Sequence, residues 1–396
     1  MTAYERIQVE ALKAGPPAIG WPVRFEAIAA VSIVLHAICW ATVPPDMKLF
    51  VFPWYAHILQ QGPVGAFAEP FSNYTPLYLY LLSAASLADS LLAPLHVIKL
   101  LSVAGTAMLT LAVADLLKAL GQDPRRAAFV FLLPTVVLNA ALLGQCDALW
   151  AAACVLAVAT MIRGRTICCL VWCGVAIAIK AQAVFLAPFI VGALIGRPAP
   201  LWQWAIPLLA YAALMLPAWL VGWPAADLAL VYARQAAWFE TPGNLANPWV
   251  WASEFARQAA RGWYIIGYVA AAAAAVVIVA FSAKSIRKPQ AMLAMALISA
   301  MAVPFLLPKM HERYYFLADV LALALALAQP GHRIILVAIT VQFASLGALL
   351  SYIYNWPPLV LAGSLAATAA LLLAYSVVLP SHSSSWWRRS ASALVD

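Results

Sequence analysis

Six side chains in this sequence carry the types and settings that chemistry needs: Asp46, Asp147, Lys180, Lys309, His311 and Arg313. Asp46 directly follows Pro44 and Pro45, whose fixed φ stiffens the chain as it leaves the first apolar run. A carboxylate there can take a proton from a hydroxyl, and apolar neighbours would move its pKa toward the useful range. A plain solvated loop acid fits the same position. Asp147 ends Gly144-Gln145-Cys146-Asp147 between two apolar runs. A charge at such a depth has a partner or a task, and it also suits a helix N-terminus. The cations divide into Lys180, with Gln182 beside it, and the string Lys309-Met310-His311-Glu312-Arg313. Gathered cations ask for an anion such as a phosphate, or for an internal pair such as Glu312 with Arg313. Arg234 reads more simply as a solvated loop residue. Asn73 and Tyr74 lie in Phe71-Ser72-Asn73-Tyr74-Thr75-Pro76-Leu77-Tyr78. Such a mixture suits sugars, whose hydroxyls meet amides while ring faces stack. It equally suits a helix cap followed by interfacial tyrosines.

The background to these residues is apolar. Of 396 residues, 65% are apolar and 10% charged, against about half and a quarter in soluble domains. The chain therefore reads as an all-α polytopic membrane protein. Its long apolar runs do not alternate as barrel strands would. The net charge of +8 reports orientation and contact with anionic lipid heads. No basic and aromatic stretch suggests nucleic acid. The six cysteines, with Cys168, Cys169 and Cys173 in one run, form no disulfide framework. No His stands at ligand spacing from them, so no metal site is assigned. Residues 1–23 are polar, with Arg6 and Lys13, and the apolar run behind them suggests an uncleaved signal anchor. A cleaved signal peptide would have a shorter apolar core.

Hydropathy predicts about twelve transmembrane helices, at 24–43, 96–118, 127–143, 148–162, 166–180, 183–196, 201–222, 263–282, 290–306, 314–328, 334–352 and 358–379. With the N-terminus in the cytoplasm, fifteen of the 23 Lys and Arg fall inside, among them Arg125, Arg126, Lys284, Arg287, Lys288, Arg388 and Arg389. A crossing at 76–93 would invert every later loop and put Arg125 and Arg126 outside. That segment is therefore expected to lie along the membrane or dip in without crossing. With the amphipathic 47–61, interrupted by Pro53, it makes 44–95 a large first external loop carrying two interfacial helices. A second large external loop spans 223–262. Its Trp223, Trp238, Trp249 and Trp251, with Trp263 at the edge, read partly as an aromatic belt. Residues His382 to Arg389 read as a cytoplasmic interfacial tail. The six chemical side chains all fall on the external face, where a lipid-linked phosphate is the obvious anion.

Four strings then carry a resemblance: Asp46 with Pro53-Trp54-Tyr55; Phe71 through Pro76; Gly144-Gln145-Cys146-Asp147-Ala148-Leu149-Trp150; and Met310-His311-Glu312-Arg313-Tyr314. In this order they resemble bacterial glycosyltransferases of the GT-C superfamily, nearest the bacterial relatives of the GPI mannosyltransferases. The likeness runs from the first apolar run through residue 316. It implies an inverting transferase with a polyprenyl-phosphate sugar donor, often mannose. It also implies an essential acid in the first external loop, at Asp46, and interfacial helices in that loop. Many superfamily members carry an acid just before the proline that opens the second interfacial helix. Thr75 stands there, and Glu69 is the nearest acid.

The sequence thus reads as one integral membrane glycosyltransferase domain over 1–396, in the inner membrane of a bacterium, with both termini cytoplasmic and the site periplasmic. Asp46 would deprotonate the acceptor hydroxyl, with Asp147 as the rival base. Lys180, Lys309, His311 and Arg313 would meet the donor phosphate, and Asn73, Tyr74, Gln145 and Asp147 the sugar. The acceptor is open among lipid, glycan and protein. No cofactor is called for, and nothing indicates a divalent metal. The rival class is a transporter or flippase of a lipid-linked or polar solute. It would place charge at mid-membrane and show repeats and broken paired spans; no repeat is found.

Overall fold

The computed structural model describes residues 24–238, 244–255, 260–286 and 288–378. The polar segment 1–23 with Arg6 and Lys13, the tail from His382 to Arg389, and Arg287 lie outside the described residues. Among those described, every regular element is helical.

Prolines set many of the boundaries. Seven helical elements open on one, at Pro76, Pro94, Pro124, Pro134, Pro248, Pro289 and Pro357. Proline suits the first helical position because its missing N–H would be unpaired there anyway. Helix α1 spans Phe25–Cys39. After Pro44 and Pro45, Asp46 precedes a π-helical turn, Met47–Val51, that runs into α2, Phe52–Gln61. Helix α3 is Pro76–Ser86 and α4 is Pro94–Ala119. A 3-10 segment, Pro124–Leu132, meets α5, Pro134–Val137, and its π-helical continuation Leu138–Leu143 at a 63° bend. Then come α6 (Asp147–Ile162), α7 (Thr166–Ile179), a 3-10 turn (Ala181–Leu186), α8 (Ala187–Gly196) and α9 (Ile206–Val221). The last seven are α10 (Ala225–Trp238), α11 (Pro248–Phe255), α12 (Ala260–Ser285), α13 (Pro289–Leu306), α14 (Phe316–Ala328), α15 (His332–Tyr354) and α16 (Pro357–Val378).

Each of the twelve apolar segments falls on a helix, but their lengths differ. Six helices are long and apolar enough to cross a membrane, and the bent pair at 124–143 would make seven. The other five, Phe25–Cys39, Asp147–Ile162, Thr166–Ile179, Ala181–Gly196 and Phe316–Ala328, have 10–17 residues. At about 1.5 Å per residue, sixteen residues reach ~24 Å, short of a ~30 Å hydrocarbon core. The expectation of about twelve full spans is corrected to that extent. The outer surface is apolar, with Ile33, Ile38, Leu111, Leu208, Ile265 and Leu372 all more than 60% exposed. Such a surface suits lipid and not water. The core lies between α6, α13 and α14, where Trp150, Leu297 and Leu321 have no exposed surface.

Helix α3 has 11 residues, about 16 Å, and packs against α2, α4, α7 and α9. It is too short to cross a bilayer. Helix α10 packs against α9, and α11 against α12 and α16. Trp223 is buried, and Trp249 Nε1 donates to the Leu306 carbonyl at 2.8 Å. Trp251 donates to Ser364 Oγ at 2.5 Å. Trp263 is 46% exposed and matches the belt reading. The side chain of Trp238, and Pro242 and Gly243, lie outside the described residues.

Candidate active site

A cleft of about 180 Å³ opens where seven separate stretches of chain meet. Asp46 enters it from the start of the helix at 47–61, and Asn73 and Tyr74 from the bend that leads into α3. Gln145 comes from the turn before α6. Lys180 and Gln182 come from the break between α7 and the next 3-10 turn. His311, Glu312 and Arg313 come from the loop before α14, and Tyr352 from the last turn of α15. That last loop is held from outside. Leu245 N donates to the Met310 carbonyl at 3.0 Å, and Tyr315 Oη to the Ala246 carbonyl at 2.9 Å. Asn247 Nδ2 donates to the Leu307 carbonyl at 3.2 Å.

Both oxygens of Asp46 are engaged. Arg313 Nη2 donates to Oδ2 at 2.8 Å, and Tyr352 Oη to Oδ1 at 2.7 Å. Arg313 also reaches Glu312 Oε1 through Nε at 3.1 Å. One guanidinium therefore ties together two carboxylates, and Glu312 is itself buried. Arg313 Nη1 is buried with no hydrogen-bond partner among the described residues, and so is Asn73 Oδ1. A buried donor on a cation and a buried acceptor on an amide are costly unless something pairs with them. A ligand bearing both an anionic group and hydroxyls would satisfy both.

Asp147 does not face this cleft. It lies behind Lys180, whose Nζ donates to Asp147 Oδ1 at 2.5 Å, and both side chains are almost wholly buried. Trp150 Nε1 donates to the same oxygen at 2.9 Å and Asn139 Nδ2 to Oδ2 at 2.7 Å. Asp147 is the first residue of α6, as the capping reading has it, but its partners are side chains and not backbone N–H groups. Burial alone would lower the pKa of Lys180, but the Asp147 carboxylate beside it outweighs that and holds the ammonium charged. Lys180 Nζ lies 5.4 Å from the centre of the Tyr74 ring, a cation–π distance. Tyr74 in turn packs on Trp54 with ring centres 5.1 Å apart.

Other titrating groups are held neutral. Burial pushes Tyr74 up to about 12, so its hydroxyl both donates and accepts at neutral pH. Burial also pushes Cys146 up to about 12, which leaves no thiolate for nucleophilic chemistry. Burial lowers His311 despite the opposing Glu312 carboxylate, so its imidazole is neutral at pH 7.

Of the residues singled out in the sequence, the cleft wall gathers Asp46, Asn73, Tyr74, Gln145, Lys180, His311 and Arg313. Lys309 is outside that wall, half-buried, with a left-handed backbone (φ 61°). Thr75 is fully buried, and its Oγ1 donates to the Ala178 carbonyl at 2.6 Å. Glu69 is exposed and away from the cleft. The second acid of the cleft is Glu312. Tyr352, Trp54, Phe50 and Gln235 also line it. Tyr352 carried no sequence signal, because it sits at the end of an apolar helix 306 positions from its partner. Among the described residues, no three His, Cys, Asp or Glu side chains are grouped to hold a metal.

A second cavity, of about 540 Å³, shares Phe50, Trp54, Asn73 and Gln235 with the first. Phe71, Trp223, Asp227 and Arg234 complete its far side. Arg234 is paired with Asp227.

Residues 55–196, just over a third of the chain, match the MptA_B family, alpha-(1->6)-mannopyranosyltransferase, N-terminal domain. Over that stretch the chain is similar to this family, and the match supports a mannosyltransferase. It includes Asn73, Tyr74, Gln145, Asp147 and Lys180, while Asp46, His311 and Arg313 lie outside it. No curated protein matches the chain.

Proposed function

We propose that this chain moves mannose from a polyprenyl-phosphate donor to an acceptor hydroxyl, with inversion at the anomeric carbon. The observation that carries this reading is the arrangement about Arg313. Its Nη2 is on Asp46, its Nε on Glu312, and its Nη1 is buried without a partner. A donor phosphate would take that free N–H, with Lys180 adding charge from the opposite wall. Asn73, Gln145, Gln182 and the Tyr74 hydroxyl would hold the sugar.

Asp46 is the proposed base. It lines the cleft, whereas Asp147 lies behind Lys180 and is not part of the cleft wall. The acceptor hydroxyl gives its proton to Asp46 as its oxygen bonds to the anomeric carbon. The bond from that carbon to the phosphate oxygen breaks, and its electron pair leaves with the polyprenyl phosphate. Fixed cations at that oxygen stabilise the charge that grows there. The larger adjoining cavity gives the acceptor room to approach from the side of Trp54 and Asn73.

Twelve membrane segments with both termini cytoplasmic would set this cleft on the periplasmic face of a bacterial inner membrane. The charge bias of the loops and the short α3 support that orientation. The test is incubation of purified protein with radiolabelled polyprenyl-phosphate mannose and a lipid and glycan extract. Label carried into a new product is the expected result. Donor movement across a vesicle with no product would favour the transporter class instead.

A further inference from the structure

Lys99 sits in the second turn of α4, fully buried, and no carboxylate pairs with it among the described residues. A buried ammonium without a counter-charge is costly, so it persists where it has work to do. All its ammonium donors go to one place. Nζ donates to the carbonyls of Trp40 and Thr42, each at 2.7 Å, and of Cys39 at 3.3 Å. These carbonyls belong to the last residue of α1 and to the turn that follows it, where the helix dipole puts partial negative charge. His96, on the same face of α4, secures the same exit. Trp40 Nε1 donates to its Nδ1 at 2.9 Å, and the two rings stack at 8°.

Only three residues separate Thr42 from Asp46, and two of them are Pro44 and Pro45. Met47 N and Lys48 N donate back to the Pro44 carbonyl at 3.1 and 3.3 Å, so the helix carrying Asp46 starts on the prolines. On the other side, Gly144 holds a left-handed φ of 61° against the Lys99 stem. A Cβ there would stand 3.6 Å from Lys99 Cγ and 3.3 Å from Ile98 Cγ2, and would collide with Met47 Cε. The turn that leads into Gln145 thus seats on Lys99 and on the residue after Asp46.

We propose that Lys99 is a positioning residue for the candidate base. It clamps the exit of α1 through the Cys39, Trp40 and Thr42 carbonyls, and through the Pro44-Pro45 strut it holds Asp46 at the cleft. This rests on the reading of Asp46 as base given above. Lys99 touches no substrate, so its loss should misplace the base and leave donor binding intact. A misplacement of about 1 Å costs on the order of 10²-fold in rate.

The test uses full-length purified protein and four variants: Lys99→Met, Lys99→Arg, Asp46→Asn and Lys99→Met combined with Asp46→Asn. Lys99→Met should lower kcat by roughly 10–100-fold with the KM for polyprenyl-phosphate mannose unchanged. Lys99→Arg, which keeps charge and donors, should recover part of the loss. In the Asp46→Asn background, Lys99→Met should cause no further fall, because its effect runs through Asp46. Additive losses would overturn the proposal, and so would a normal kcat in Lys99→Met beside a crippled Asp46→Asn. Failure of Lys99→Met and Lys99→Arg alike to fold would overturn it in favour of a purely structural role. Full turnover in Asp46→Asn alone removes the base, and the proposal with it.

Discussion

Arg313 Nη2 lies 2.8 Å from Asp46 Oδ2, across 267 positions of sequence. The contact joins the loop before α14 to the exit of the first helix. It also means that the strongest cation of the cleft rests on the proposed base.

Arg313→Ala should therefore do two things. It should raise the apparent KM for donor, since a charge-assisted hydrogen bond is worth roughly 1.5–3 kcal/mol. It should also lower the thermal midpoint, because Asp46 and Glu312 would be left with like charges and no cation between them. Arg313→Lys should restore little of either, because an ammonium cannot span both carboxylates as the planar fork does. Donor kinetics unchanged in both variants would take Arg313 out of the site.

Asp147 and Lys180 form a buried pair, and breaking it from one side should cost stability. Asp147→Asn or Lys180→Met alone should destabilise by about 3–5 kcal/mol, whereas the double variant should recover much of that. Thermal melting of the purified variants checks this. Equal and additive losses would mean that the two charges do not depend on one another.

His311 supplies a pH signature. Its pKa is lowered by burial below the ordinary 6.5. Between that lowered value and 6.5 the unfolded chain binds the proton and the folded chain does not, so stability rises with pH across this window. The contribution is present above pH 6.5 and is lost as pH falls through the folded value. His311→Asn should flatten that part of the stability profile below neutral pH. An unchanged slope would assign it to other groups.

Topology can be read with an impermeant thiol reagent on intact cells. A cysteine placed at Gly65 should react, and one placed at Gln122 should be shielded. Labelling at 122 from outside would invert the bundle and move the cleft to the cytoplasm.

Much of the fold was legible because apolar runs and prolines are local signals. Pro76, read as the opening of the second interfacial helix, is where α3 starts. The loop charges argue against a crossing at 76–93, and α3 there is an 11-residue helix packed on its neighbours. Pairing through space is not a local signal. Lys180 reads as a phosphate ligand because its run places it beside the cleft. Nothing in its spacing from Asp147 discloses the 2.5 Å contact between them. Lys309 shares a string with Arg313, but a left-handed turn leaves it outside the cleft wall. Lys99 lay unremarked inside an apolar run because its partners are backbone carbonyls, which carry no sequence signature.

The turnover of Asp46→Asn, with donor binding measured on the same preparation, tests the account most directly. Asparagine keeps the shape and can still accept from Tyr352, but it cannot take up the acceptor's proton. General-base catalysis is worth about 10²–10⁴-fold, so mannosyl transfer should fall by that much with donor affinity retained. Full transfer by Asp46→Asn would contradict the account.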